Sequence, residues 1–160
     1  YIPILAFFGL ILVTILGYTM KIWKRNIDIN KINKNMNNTM ASHLNIIITK
    51  VLENSLVGTM PVNHHIMQPY GIVHGGASVA LAETLGSLAS NLCIDKDSNT
   101  VGLEINANHI KAVKKGIITG ITKPIHIGRS THIWEIKLFN NDKISCISRI
   151  TMAILEKSVK

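Results

Sequence analysis

One stretch of this chain, about residues 74–93, has the apolar spacing of a long helix, and the other apolar runs of the domain have the texture of strands. Leu81, Leu85, Leu88 and Leu92 recur at intervals of four, three and four, which lines one helix face with leucine. Upstream, "NIIITKVLEN" and "SLVGTMPV" are rich in β-branched residues and closely joined, as in a hairpin. Downstream, a polar turn at Asp95–Asn99 leads into "TVGLEINANHIKAV", "GIITGITKPIHIG", "STHIWEIKLFN" and "KISCISRITMAILE". These break at Lys114-Lys115-Gly116, Gly128-Arg129 and Asn140-Asn141-Asp142, connections short enough to join antiparallel neighbours. A lone helix with a leucine stripe has only the sheet to cover it. The predicted class is therefore α+β, an antiparallel sheet wrapped around one long central helix. Residues 27–44 predict a short amphipathic helix and a further turn between Asn-rich joints. "NHHIMQPYG" predicts a loop, interrupted by Pro69 and ended by Gly71.

With 160 residues the chain suits one domain with a real core. Its formal charge of +8 is carried mostly by lysine, beside Arg25, Arg129 and Arg149. A basic balance suits nucleic acid, a membrane surface or an anionic ligand such as coenzyme A. No long basic run, RNA-binding aromatic signature or zinc-finger spacing is present, so no nucleic acid partner is expected. Cys93 and Cys146 stand apart, without a CxxC spacing, as reduced thiols of a cytoplasmic protein do; their spacing does not say whether they meet. The seven histidines form no metal motif, and the rings of the adjacent His64 and His65 are expected to diverge. No metal and no cofactor are predicted.

Residues 1–19 are uncharged and almost wholly apolar, and Lys21, Lys24 and Arg25 follow closely. Such a segment reads as a marginal transmembrane helix with the domain on the cytoplasmic side, or less well as a signal peptide. A third reading makes it an upstream extension, with Met20 opening the natural chain at "MKIWKRNIDI". In each case the folded unit is expected to span 20–160.

The chemistry gathers in "GIVHGGASVALAETLG", residues 71–86. A helix turns about 100° per residue, so Glu83 points well away from Leu81. Ala80, Glu83 and Ser87 share that other face. Gly76, Ala77, Ala80 and Thr84 keep it small enough for another surface or a ligand to come close. Gly75 and Gly76 open the helix, where unpaired N–H groups and the positive end of the dipole favour a developing oxyanion. Gln68 and His74 stand just upstream with groups for a carbonyl or a water. Read from the residues alone, Glu83 is equally well a solvated helix glutamate, Gly75-Gly76 a tight turn and His74 a cap.

"QPYGIVHGGASVALAETLGSLAS", "VGLEINANHIKA" and "KPIHIG" together closely resemble the hotdog acyl-CoA thioesterases of the phenylacetate-pathway type. The resemblance runs from about Met20 to Leu155 and includes "KIWKR". "GLEINANH" leans toward the branch that hydrolyses 1,4-dihydroxy-2-naphthoyl-CoA in menaquinone synthesis. "NTMASHL" and "LAETLGS" lean toward a sister branch that releases wrongly loaded aryl groups from a carrier protein in enterobactin biosynthesis. The resemblance implies a hotdog fold and a thioesterase acting on an aromatic acyl-CoA. It makes Glu83 the catalytic carboxylate, as nucleophile or general base, and the Gly75 N–H the group that polarises the thioester carbonyl. Gln68 and His74 would orient the thioester, Ser87 would assist, and His109 would be a further site histidine. It also implies a homo-oligomer, a dimer of dimers, with Glu83 of one chain facing the Gln-His-Gly segment of another.

Beyond the motif, Lys111, Lys114, Lys115 and Arg129 are candidates for the phosphates of coenzyme A, Arg129 foremost, although each is equally an ordinary surface charge. Tyr70 is a candidate wall of the acyl pocket or a plain loop aromatic. Trp134 and Phe139, at odd separation on one strand, should face opposite sides, one of them into the core. Two other readings remain: a proofreading thioesterase whose basic surface meets an acidic acyl carrier protein, and a hotdog binding module without catalysis. A dehydratase would want its carboxylate paired with histidine in another context.

Overall fold

The computed structural model describes residues 21–156, and the expectation for the apolar segment 1–19 lies outside them. Among the described residues no helix is long and apolar enough to cross a membrane. Helix α1 (Ile29–Asn35) begins where the Asp28 carboxylate accepts from the Lys31 N–H at 3.1 Å, satisfying a donor that the first turn cannot. The single turn α2 (Met40–His43) follows, with the Thr39 N–H donating to Ser42 Oγ at 3.2 Å. Strands β1 (Ile47–Val51) and β2 (Leu56–Pro61) then form the expected hairpin.

The predicted loop holds more order than a loop. Residues His64–Ile66 make a 3-10 turn, and β3 (Met67–Gln68) pairs with β4 (Ile72–Val73) as a miniature hairpin. Pro69 and Gly71, which argue against a long strand, are what its tight turn needs: Gly71 sits at φ +70. The rings of His64 and His65 do not diverge. Their centroids lie 3.8 Å apart, and His43 of α2 stands 5.9 Å from His65.

The central helix α3 (Gly75–Leu92) leads to β5 (Ser98–His109), β6 (Ile117–Ile127), β7 (Thr131–Asn140) and β8 (Lys143–Glu156). One antiparallel sheet runs in the order β1-β2-β6-β7-β8-β5. The last three strands are consecutive neighbours, as expected. β5 instead crosses to the far edge and pairs with β8, from Ser98↔Glu156 to His109↔Cys146. Its twelve residues therefore present one unpaired side.

The curved sheet closes on α3. Leu81, Ala82, Leu85 and Ala89 are fully buried against Leu56, Met60, Ile118, Ile136 and Leu138. Leu88 is only half-buried, while Gly86 and Ser90 join the buried face. Small residues let the helix approach: a methyl group at Gly86 would lie 2.5 Å from Ile150 Cγ2, and one at Gly58 2.7 Å from Leu85 Cδ2. Trp134 is buried and Phe139 half-buried on the opposite face. Cys93 and Cys146 are both free and buried.

"KIWKR" anchors the far end of α3. The Arg25 guanidinium donates to Asn91 Oδ1 at 2.6 Å and to the carbonyls of Ile94, Asp95 and Ser98 at 2.9–3.1 Å. It places a positive charge where the helix dipole is negative. Trp23 stacks on Trp134 with centroids 6.2 Å apart.

Candidate functional site

At the start of α3, His74 is the N-cap, and its Nδ1 accepts from the Gly76 N–H at 2.9 Å. In the neutral ring this leaves the proton on Nε2. The Gly76 amide is thus already engaged, and the expectation of two free amides narrows to Gly75, whose N–H has no intrahelical partner. Above Gly75 lies the imidazole of His109, the last residue of β5. A methyl group at position 75 would stand 2.7 Å from His109 Nε2, so a larger residue there would push the His109 ring aside.

Two turns along α3, Glu83 is exposed and Ser87 half-buried. Glu83 reaches over the edge strand, its Oε1 3.6 Å from where a Gly102 side chain would begin. Glu83 and Ser87 line a cavity of about 480 Å³ with Gly76, Val79, Ala80 and Thr84 from the helix and Met40, Ala41, Leu44 and Ile46 from the α2–β1 segment. Ala77, expected on this face, is buried with the core, and Val79 takes its place on the cavity wall. The angular step from Gly76 to Val79 is nearer to the Glu83 direction than that to Ala77.

Gln68, Gly75 and His109 line a different cavity of about 270 Å³, together with Ser78, Lys111 and Val113. Within one chain the candidate residues therefore fall into two groups: Glu83 with Ser87, and Gln68 with Gly75 and His109. Arg129 opens on a third cavity of about 660 Å³, with Lys24, Asp95, His132 and Glu156. Lys111, not Arg129, is the basic residue beside Gln68 and His109. Tyr70, at the tip of the miniature hairpin, is 86% exposed and lines neither of the first two cavities.

Sequence reasoning missed the apolar wall from Met40 to Ile46. The signal was present: "NTMASHL" carries Met40 and Ala41 in a one-turn helix too short to have a buried face of its own, with Leu44 at its C-cap. It also missed Met152, whose Sδ accepts from Ser87 Oγ at 3.7 Å across 65 residues of chain.

Two thiols are removed from consideration as nucleophiles. Burial pushes the Cys93 thiol up to about 12, the nearby Lys24 charge opposing it, and burial likewise raises Cys146. A buried polar relay crosses the core near the end of α3. Trp134 Nε1 donates to Ser90 Oγ at 2.8 Å, and Ser90 Oγ lies 3.1 Å from His132 Nδ1. Burial lowers the pKa of His132, partly opposed by a hydrogen bond to the Gly128 backbone. Ser90 Oγ accepts from Trp134, and the direction of its contact with His132 is set by the histidine tautomer. Among the described residues no group of three histidine, cysteine or acidic side chains is arranged to hold a metal ion.

The thioesterase superfamily profile matches residues 70–147 of this chain. The 1,4-dihydroxy-2-naphthoyl-CoA hydrolase of Escherichia coli is 42% identical over 135 residues, covering 84% of this chain and 99% of that protein. The proofreading thioesterase EntH of Cronobacter sakazakii is also 42% identical over 135 residues, covering 84% and 98%. The crystal structure of thioesterase HI1161 from Haemophilus influenzae superposes with a TM-score of 0.84 at 41% identity, covering 86% of this chain and 97% of that one.

Proposed function

The chain belongs to the thioesterase superfamily, with the hotdog fold, and is a thioester hydrolase; from that premise we propose that it cleaves an aromatic acyl-CoA, with Glu83 as the reacting carboxylate in a site shared by two chains. The observation that carries this is the division of the candidate residues. In one chain Glu83 and Ser87 open on one cavity and Gln68, Gly75 and His109 on another. A second copy, joined along the unpaired side of β5, brings the Gln68 group of one chain to the Glu83 of its neighbour. We infer a dimer of dimers built on this contact.

A thioester is already an activated acyl group, so its hydrolysis needs a held carboxylate, an oxyanion site and shelter from bulk water. Glu83 attacks the carbonyl carbon or takes a proton from the attacking water. The Gly75 N–H, at the positive end of α3, receives the charge that develops on the carbonyl oxygen. Gln68 and the Nε2–H of His74 hold the thioester, and His109 packs over Gly75 to fix the approach. The apolar wall from Met40 to Ile46 takes the acyl ring, with Tyr70 completing the pocket from the neighbouring chain. Lys111 lies nearer than Arg129 to the path of the coenzyme A phosphates. The two buried free thiols suit a reducing compartment, which supports a cytoplasmic location.

Within this class we favour 1,4-dihydroxy-2-naphthoyl-CoA, of menaquinone synthesis, as the substrate. A second reading is supported by the equal identity to a relative named as a proofreading thioesterase, and by the basic surface, which suits an acidic acyl carrier protein. The test is thiol release by the purified chain from naphthoyl-CoA, benzoyl-CoA, a long-chain acyl-CoA and an aryl-loaded carrier protein. Fastest release from an aromatic CoA, lost in Glu83→Gln, supports the first reading. Preference for the loaded carrier moves the protein to the second, and unchanged turnover in Glu83→Gln removes the carboxylate assignment.

A further inference from the structure

Ser87 spends its hydroxyl proton in an unusual place. A hydroxyl side chain inside a helix can donate back to the carbonyl four residues earlier, as Thr84 does here to Ala80 at 2.7 Å. Ser87 donates instead to the thioether of Met152, 3.7 Å away on β8. Met152 is 1% exposed and pairs across the sheet with Gly102, where β5 carries a bulge at Leu103. Because Gly102 has no side chain, one small space adjoins both Glu83 and Met152: a methyl there would lie 3.6 Å from Glu83 Oε1 and 4.0 Å from Met152 Sδ. A thioether sulfur accepts and never donates.

We propose that Met152 is a positioning residue for the hydrolytic water: by taking the Ser87 proton, it leaves Ser87 Oγ able only to accept toward the Glu83 cavity. Glu83 and Ser87 are i, i+4 neighbours, close enough for one water to bridge them. That water gives one O–H to Glu83 and the other to Ser87 Oγ, which turns its lone pair outward. In the general-base route its oxygen bonds the thioester carbon as Glu83 takes a proton. The C–S bond breaks, and the proton passes on to the departing thiolate. Without the sulfur, the Ser87 hydroxyl turns to the Glu83 carboxylate or to the helix carbonyl and competes for the water's place. The proposal rests on the assignment of Glu83 and Ser87 above.

The experiment compares Met152→Leu, which conserves volume, in the wild-type and the Ser87→Ala backgrounds, with benzoyl-CoA as the probe. In the wild type, kcat should fall about threefold to tenfold, the scale of one weak hydrogen bond, with KM nearly unchanged. In the Ser87→Ala background the same substitution should change nothing further. Equal losses in both backgrounds mean that Met152 only packs, and no loss in the wild type means that its sulfur orients nothing; either overturns the proposal. If Met152→Leu fails to fold, Met152→Ile, whose branching suits a strand, takes its place. Glu83→Gln run alongside separates the two assignments. Full activity there fells the carboxylate reading and this one with it, whereas loss there with a silent Met152→Leu fells this one alone.

Discussion

If the proposed site is shared by two chains, mixing two inactive variants should restore activity by a countable amount. Glu83→Gln removes the carboxylate from one group of residues, and Gln68→Ala removes the amide from the other. Each variant alone should be nearly inactive, since each of its sites contains the defect. Mixed in equal amounts with free exchange, the two form heterodimers in about half of the dimers, by statistics of a two-fold interface. In each heterodimer one site combines both defects, and the other combines an intact Glu83 with an intact Gln68. Half of the sites in half of the dimers are whole, so the mixture should recover about a quarter of wild-type turnover. If both groups came from one chain, every site would keep one defect and mixing would restore nothing. The assay is thiol release after co-expression of the two differently tagged chains and isolation of the doubly tagged species, which in a dimer of dimers should show about two-sevenths of wild-type activity, since heterodimers make up about four-sevenths of its dimers. Activity no higher than the mean of the parents would refute the shared site. It would also require the 480 Å³ and 270 Å³ cavities to join within one chain.

Glu83→Gln keeps the shape of the side chain and removes its charge, and kcat should drop by about 10²-fold or more with the melting temperature held, read by thiol release and thermal denaturation. Leu85→Ala should cost about 2–5 kcal/mol in urea unfolding, toward the upper end because the surrounding glycines have no side chains to move into the void. His132 is held neutral, its folded pKa below the ordinary value, so the unfolded chain binds the extra proton. Its contribution to stability is complete above about pH 6.5 and is lost as the pH falls below that value toward the folded pKa. The melting temperature of the wild type should therefore decline more steeply between pH 7 and pH 5 than that of His132→Gln, and parallel declines would show that His132 is not the group responsible.

Much of this molecule was legible before its structure, and the pattern of what was legible has a physical cause. The helix Gly75–Leu92, the hairpin β1–β2 and the breaks between β6, β7 and β8 are set by neighbours a few residues apart: leucine spacing, β-branched runs, and Gly or Asn at turns. The direction of Glu83 away from Leu81 follows from the helix pitch. The errors fell where such local rules compete. Neighbouring side chains on a strand or in a turn are expected to diverge, yet the rings of His64 and His65 lie 3.8 Å apart in the 3-10 turn. A helix N-terminus leaves its first amides free, yet at Gly76 the side chain of His74 folds back to take the N–H.

By itself, then, the chain's order of residues determined one long helix, a hairpin before it, strands after it, and a carboxylate turned from the core. Only the tertiary structure decided that β5 crosses to the sheet edge beside β8, that the candidate residues part into two cavities, and that Met152 reaches Ser87. Those are pairings between residues tens of positions apart. They are chosen by which strands can bury α3 together, a competition among whole arrangements that no short window of sequence contains.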